Sequence, residues 1–138
     1  GSRVHNFKPG DRVYVNPGRY CGSCAPCRNG DLINCTSYAF CGYFGFSEGA
    51  KRVLDENPYG GLAEYMLAPQ YSLVKIPDNL TFEAAARFGY MGTTYSAMRK
   101  VGVRAGSSLL VNGISGTLGI GCALFGIGMG ATRILGTA

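Results

Sequence analysis

Cys21-Gly22-Ser23-Cys24-Ala25-Pro26-Cys27, closed by Cys35, is the stretch on which the reading of this chain turns. Two-residue gaps let neighbouring thiolates face one ion, and the longer return loop brings in a fourth. Four thiolates complete a tetrahedral zinc shell and leave no open position for water or substrate. Such a site is structural: it cross-links a loop that has little core of its own. Gly22, Ser23, Ala25 and Pro26 are small or turn-forming, as a tight metal knuckle requires. The alternatives are an iron–sulfur cluster, a disulfide pair or free thiols. The bacterial ferredoxin run shares the first two gaps but closes with a shorter one and a proline, whereas Thr36 follows here. Cys41 and Cys122 lie outside the cluster and read as packed or idle thiols.

Composition supports a folded chain around this loop. The sequence has 138 residues, 46% of them hydrophobic and 15% charged, a globular balance sufficient for a core. Its formal charge of +5 is scattered, the densest groups being the pairs Lys51-Arg52 and Arg99-Lys100. A nucleic-acid surface needs a stripe or cluster, so a mildly basic surface for anionic small molecules is the reading. The start lacks the apolar stretch of a signal peptide, and Ile120 to Met129 is too short to span a bilayer. Crowded cysteines without a secretion signal favour metal binding in a reducing, cytoplasmic setting.

The chain divides near residue 98. Before it, Arg12–Val15, Ala63–Leu67 and Ser72–Ile76 are strand candidates, and residues 41–60 read as an irregular connection. Thr81 reads as a helix N-cap, and a helix is expected from about Thr93 to Lys100. After it come an apolar strand over Ser108–Val111, suited to burial on both faces, a glycine turn, a helix from Leu118 to about Gly128, and a strand over Thr132–Gly136. That order is a βαβ unit.

The glycine turn is Gly113-x-x-Gly116-x-x-Gly119, one residue longer than the usual dinucleotide fingerprint. A turn after a strand that opens a helix offers amide N–H groups and a positive helix end to a pyrophosphate. A bland glycine-rich turn is the competing reading. An acid about 20 positions further on would bind the ribose 2′-hydroxyl of NAD. Ala138 stands there, neutral, which tilts the cofactor toward NADP(H).

Together these residues resemble the medium-chain dehydrogenase/reductase family in its zinc-type alcohol dehydrogenase branch. The resemblance is carried by Phe7-Lys8-Pro9-Gly10-Asp11-Arg12-Val13, the four cysteines, Gly60-Gly61-Leu62-Ala63-Glu64-Tyr65, Val74-Lys75-Ile76-Pro77, Thr93-Thr94-Tyr95 and Val111-Asn112-Gly113-Ile114-Ser115-Gly116. It implies an α/β fold with a β-rich part. Residues 1–98 would form a partial GroES-like β-barrel catalytic domain with a structural zinc lobe at about residues 18–40. Residues 99–138 would begin a Rossmann domain. It also implies hydride transfer between NAD(P) and a small alcohol, aldehyde or ketone, no nucleic-acid or membrane partner, and a homodimer or homotetramer at full length. The site residues expected are Cys21, Cys24, Cys27 and Cys35 for zinc. For the cofactor they are Thr93, Gly113, Ser115, Gly116, Thr117, Leu118, Gly119 and Ala138, with Thr93 near the nicotinamide.

The sequence also departs from that pattern. The segments carrying the family's first catalytic-zinc cysteine and its Gly-His-Glu motif are not in this chain. His5, the single histidine, reads as an exposed loop residue. The family's later catalytic cysteine falls at Gly89 or Tyr90, neither a plausible zinc ligand. No catalytic residue is therefore assigned, and the isolated chain is expected to be inactive. A zinc-independent quinone or enoyl reductase of the same superfamily, and a non-catalytic zinc-binding module, are the alternatives. Tyr20, Phe40, Tyr43, Phe44 and Phe46 either line a substrate pocket or pack an irregular loop.

Overall fold

The computed structural model describes residues 2–138. The chain parts into two compact units, one ending at Pro77 and the other running from Asp78 to Ala138.

The first unit is built from short elements: β1 (Val13–Val15), β2 (Gly18–Arg19), α1 (Ala25–Arg28), β3 (Ala39–Phe40), α2 (Ala50–Glu56) and β4 (Leu73–Lys75). β1 pairs antiparallel with β4, Tyr14 opposite Val74. β2 pairs antiparallel with β3, Arg19 opposite Ala39. The stretch expected to be an irregular connection contains α2. Its apolar residues Ala50, Val53 and Leu54 recur at helical spacing and pack with Ala39 into a small buried cluster. Lys51 with Asp55 and Arg52 with Glu56 form pairs one turn apart on its exposed side. Ala63–Leu67, expected as a strand, is irregular. A strand needs a neighbour for its N–H and C=O groups, and none pairs with it among the described residues. The loop aromatics pack on one another, Phe40 with Phe44 at 5.4 Å between centroids and Phe44 with Phe46 at 4.7 Å.

The second unit holds α3 (Phe82–Ala85), α4 (Phe88–Lys100), β5 (Ser108–Asn112), α5 (Thr117–Gly128) and β6 (Arg133–Thr137). Thr81 caps α3, its Oγ1 accepting the Ala84 N–H at 3.2 Å. α4 starts at Phe88, before the expected Thr93, although Gly89 and Gly92 are poor helix formers. Packing overrides propensity, because α4 turns Thr94 and Met98 inward. A Cβ at Gly121 of α5 would press Thr94 Oγ1 at 2.9 Å, so glycine lets the two helices approach. α4 thus packs with α5, within the unit that runs from Asp78 to Ala138.

β5 and β6 are parallel neighbours, with Leu110 opposite Leu135. The expectation of a strand buried on both faces does not hold for β5. Val111 is its one buried residue, and Leu110 is 73% exposed. α5 covers one face of a two-stranded sheet, and its own Leu124 and Ile127 remain exposed.

Candidate metal centre and glycine turn

α1 begins straight after Cys24 and carries Pro26 in its first turn, where a missing N–H costs nothing. This short helix brings Cys27 back beside Cys24, their sulfurs 3.4 Å apart. Cys35 arrives from the return loop, 3.6 Å from Cys21 Sγ. All four Sγ atoms lie within 4.8 Å of one another. A zinc ion at about 2.3 Å from each would set tetrahedral sulfurs about 3.8 Å apart, so the arrangement fits the ion. No disulfide joins any of the six cysteines.

Backbone amides surround the sulfurs. Cys21 and Ser37 donate their N–H groups to Cys35 Sγ at 3.4 and 3.3 Å. The amides of Ser23 and Cys24 hold the Cys21 thiol down at about 6. Cys24 is lowered in the same way by the amides of Cys27 and Thr36. Cys27 goes the other way: burial, with Cys24 and Cys35 beside it, pushes its thiol up to about 12. A metal must therefore displace the Cys27 proton, which makes capture pH-dependent. A cleft of about 410 Å³, lined by Cys21, Cys24, Thr36, Arg52 and Glu56 among others, gives an ion a path in.

The glycine turn sits at the carboxyl end of β5. Gly113 adopts φ +73°, a conformation open to glycine. Gly116 donates its N–H to Gly113 O at 3.1 Å and opens α5. A side chain at Gly119 would collide with Gly113 O and the Ile114 backbone, so the turn lies flush on the helix. The first-turn amides of Thr117, Leu118 and Gly119 have no carbonyl partner within the helix, as at any helix start. Ser115 is exposed on the turn. Ala138, also exposed, follows β6. Thr93 sits on exposed α4 surface and donates its hydroxyl to Gly89 O at 3.0 Å, with no described bond to the turn. Sequence reasoning missed Thr137 and Gly136. Thr137 O accepts the Ile114 N–H at 2.9 Å, and a side chain at Gly136 would strike Ile114. Cross-strand bonds of this kind leave no periodic trace in a sequence. Among the described residues, no helix is long and apolar enough to cross a membrane.

The sequence profile of the alcohol dehydrogenase GroES-like domain matches residues 1–78. The chain belongs to the zinc-type alcohol dehydrogenase family. Within it, the chain is 35% identical over 137 residues to the zinc-type alcohol dehydrogenase-like protein YphC of Escherichia coli. That match takes in 99% of this chain and 35% of YphC. It is 31% identical over 136 residues to a probable D-xylulose reductase A of Neosartorya fischeri, 98% of this chain against 34% of that protein. An NAD-dependent alcohol dehydrogenase of known structure superposes with a TM-score of 0.80 at 33% identity, over 98% of this chain and 36% of that one. The chain thus spans about a third of the length of the zinc-type dehydrogenases it matches; it has the GroES-like fold and holds a four-cysteine cluster of its own.

Proposed function

We propose that this chain supplies the structural zinc lobe and the dinucleotide turn of an NAD(P)-dependent alcohol dehydrogenase. The enzyme moves hydride between nicotinamide and a small alcohol or carbonyl. The observation that carries the reading is the glycine turn opening α5 at the carboxyl end of β5, where unclaimed amides meet a positive helix end. Cys21, Cys24, Cys27 and Cys35 hold one zinc, and their closed shell keeps it out of the chemistry.

For the cofactor, Gly113, Ser115 and Gly116 let the backbone come up to the pyrophosphate. Thr117, Leu118 and Gly119 offer the amides. Ala138 leaves the ribose edge free of negative charge, which favours NADP(H). Thr93 contributes from α4 on the nicotinamide side. Residues 1–98 are assigned to the GroES-like catalytic domain and 99–138 to the start of a Rossmann domain, in a cytoplasmic protein. When bound, the nicotinamide accepts or returns the hydride; the residues named here bind and orient it. Polyols are a natural substrate class, given the xylulose reductase relative.

A catalytic site without zinc is the second reading, favoured by Gly89, whose backbone carbonyl merely accepts from Thr93. Zinc counting and dinucleotide titration of the full chain test both halves of the proposal. One zinc per chain, lost in Cys27→Ser, and fluorescence-detected binding of NADH or NADPH are expected. A chain without zinc overturns the lobe assignment, and a chain that binds neither dinucleotide overturns the cofactor assignment.

A further inference from the structure

Resting on that cofactor assignment, we propose that Asn112, oriented by Thr137, is the hydrogen-bond donor that recognises the 2′-phosphate of NADP(H). Asn112 ends β5 and Thr137 ends β6, and the parallel register places them side by side. Their shared edge is the carboxyl end of the sheet, where dinucleotides bind in open α/β folds. Thr137 grips both flanks of Gly113. Its hydroxyl donates to Asn112 Oδ1, and its carbonyl accepts the Ile114 N–H at 2.9 Å.

The first of these bonds fixes the chemistry that Asn112 shows to a ligand. A carboxamide has an acceptor oxygen and a donor nitrogen. With Oδ1 occupied by the Thr137 hydroxyl, Nδ2 is the free end, and it has no partner among the described residues. Asn112 is exposed, so Nδ2 is available to a ligand. A donor at this edge suits an acceptor group. The 2′-phosphate is a cluster of anionic acceptor oxygens, whereas the 2′-hydroxyl of NAD is best met by a carboxylate. The side chain of the neighbouring Ala138 is a methyl group and supplies no carboxylate. Thr137 is a positioning residue here: without its hydroxyl the amide is free to turn over and aim oxygen at the phosphate.

The test is the ratio of NADPH to NADH dissociation constants, titrated with the full chain at one ionic strength. A single salt concentration is needed because the +5 net charge favours the more anionic cofactor in every variant. Wild type is expected to favour NADPH by about tenfold, the scale of one bond to a charged group. Asn112→Leu narrows that preference to the part that net charge supplies and leaves NADH binding within about twofold. Asn112→Asp lowers NADPH affinity further by repulsion. Thr137→Val reduces the preference and Thr137→Ser keeps it, a rescue that mere strand packing does not provide. A wild type that favours NADH or shows no preference overturns the proposal. So does an Asn112→Leu chain that keeps the ratio or weakens both cofactors alike. In those cases the dinucleotide assignment survives. Failure of wild type to bind either cofactor removes the assignment and this inference together.

Discussion

Arg19 carries a full charge with 1% of its surface exposed and meets it with neutral oxygens. Nη1 donates to Asn16 O at 2.7 Å and Gly18 O at 3.0 Å, and Nε to Asn57 Oδ1 at 3.2 Å. Nη2 has no partner among the described residues. Because a buried charge without a carboxylate is costly, the side chain holds its place through geometry more than through charge. Arg19→Ala is expected to cost about 2–5 kcal/mol, through a cavity and three orphaned acceptors. Arg19→Met, which fills the space without the charge, should cost clearly less, as read from urea midpoints. Equal losses would show that the donated hydrogen bonds, and not the filled space, hold the site. Asp11 is the opposite case. The Lys8 N–H donates to its Oδ2 at 3.0 Å, and Lys75 Nζ stands 3.2 Å away, so its carboxyl is held below the ordinary value of 3.8. A carboxyl lowered by folding stabilises the fold above its unfolded value and loses that effect as pH falls through the folded one. The melting temperatures of wild type and Asp11→Asn should therefore differ above the ordinary value of 3.8 and converge as pH falls below it. A gap that stays constant with pH would assign the effect to packing. The cysteines were legible in the sequence because ligand spacing is itself a local code. Arg19 was not, because its burial depends on Asn57, far along the chain.

α2 shows how an element escapes a sequence reading. Its seven residues sit among glycines, a serine, an asparagine and a proline, which mask a short helical period. What stabilises it is tertiary: Val53 and Ala50 against Ala39, and Asn57 at its end, whose Nδ2 donates to Val53 O at 3.1 Å. Val53→Asp would strand a carboxylate among alanines and is expected to cost more than about 3 kcal/mol. Arg52→Ala on the exposed side, whose pair with Glu56 spans 3.4 Å, should change stability by less than about 0.5 kcal/mol. Chemical denaturation of both variants checks the contrast, and similar losses would mean that α2 is held by its ion pairs. The βαβ elements were easier to read. They are apolar or β-prone runs set off by a glycine turn, and β5, α5 and β6 lie within two residues of expectation. Ala63–Leu67 has strand-like composition without a strand, because pairing is a property of two segments and a sequence window shows one.

Across the whole molecule, the first unit has very little apolar core. Its buried cluster is Ala39, Ala50 and Val53, with Leu54 partly covered. Cys21 and Cys24 line the same cleft as Val53, and a metal held by the four thiolates would close the loop between Cys21 and Cys35. Chelation of zinc at neutral pH is expected to strip hydrogen-exchange protection from the amides of Cys24 to Cys35. Protection in α4 and α5 should persist, because Thr94, Met98 and the glycines of α5 form a separate contact. Loss in both units would show that they unfold together. The family was legible at this scale because it rests on the order of several motifs. The packing of α4 on α5 was not, because it depends on Gly121 meeting Thr94 across two helices. The four-thiolate knot also has a consequence for the protein's life in a cell. A ligand that binds only the folded form sets the folded fraction through its free concentration. Zinc supply would then govern how long this polypeptide survives proteases, so that scarcity of the metal appears as rapid turnover well before any question of enzymatic rate.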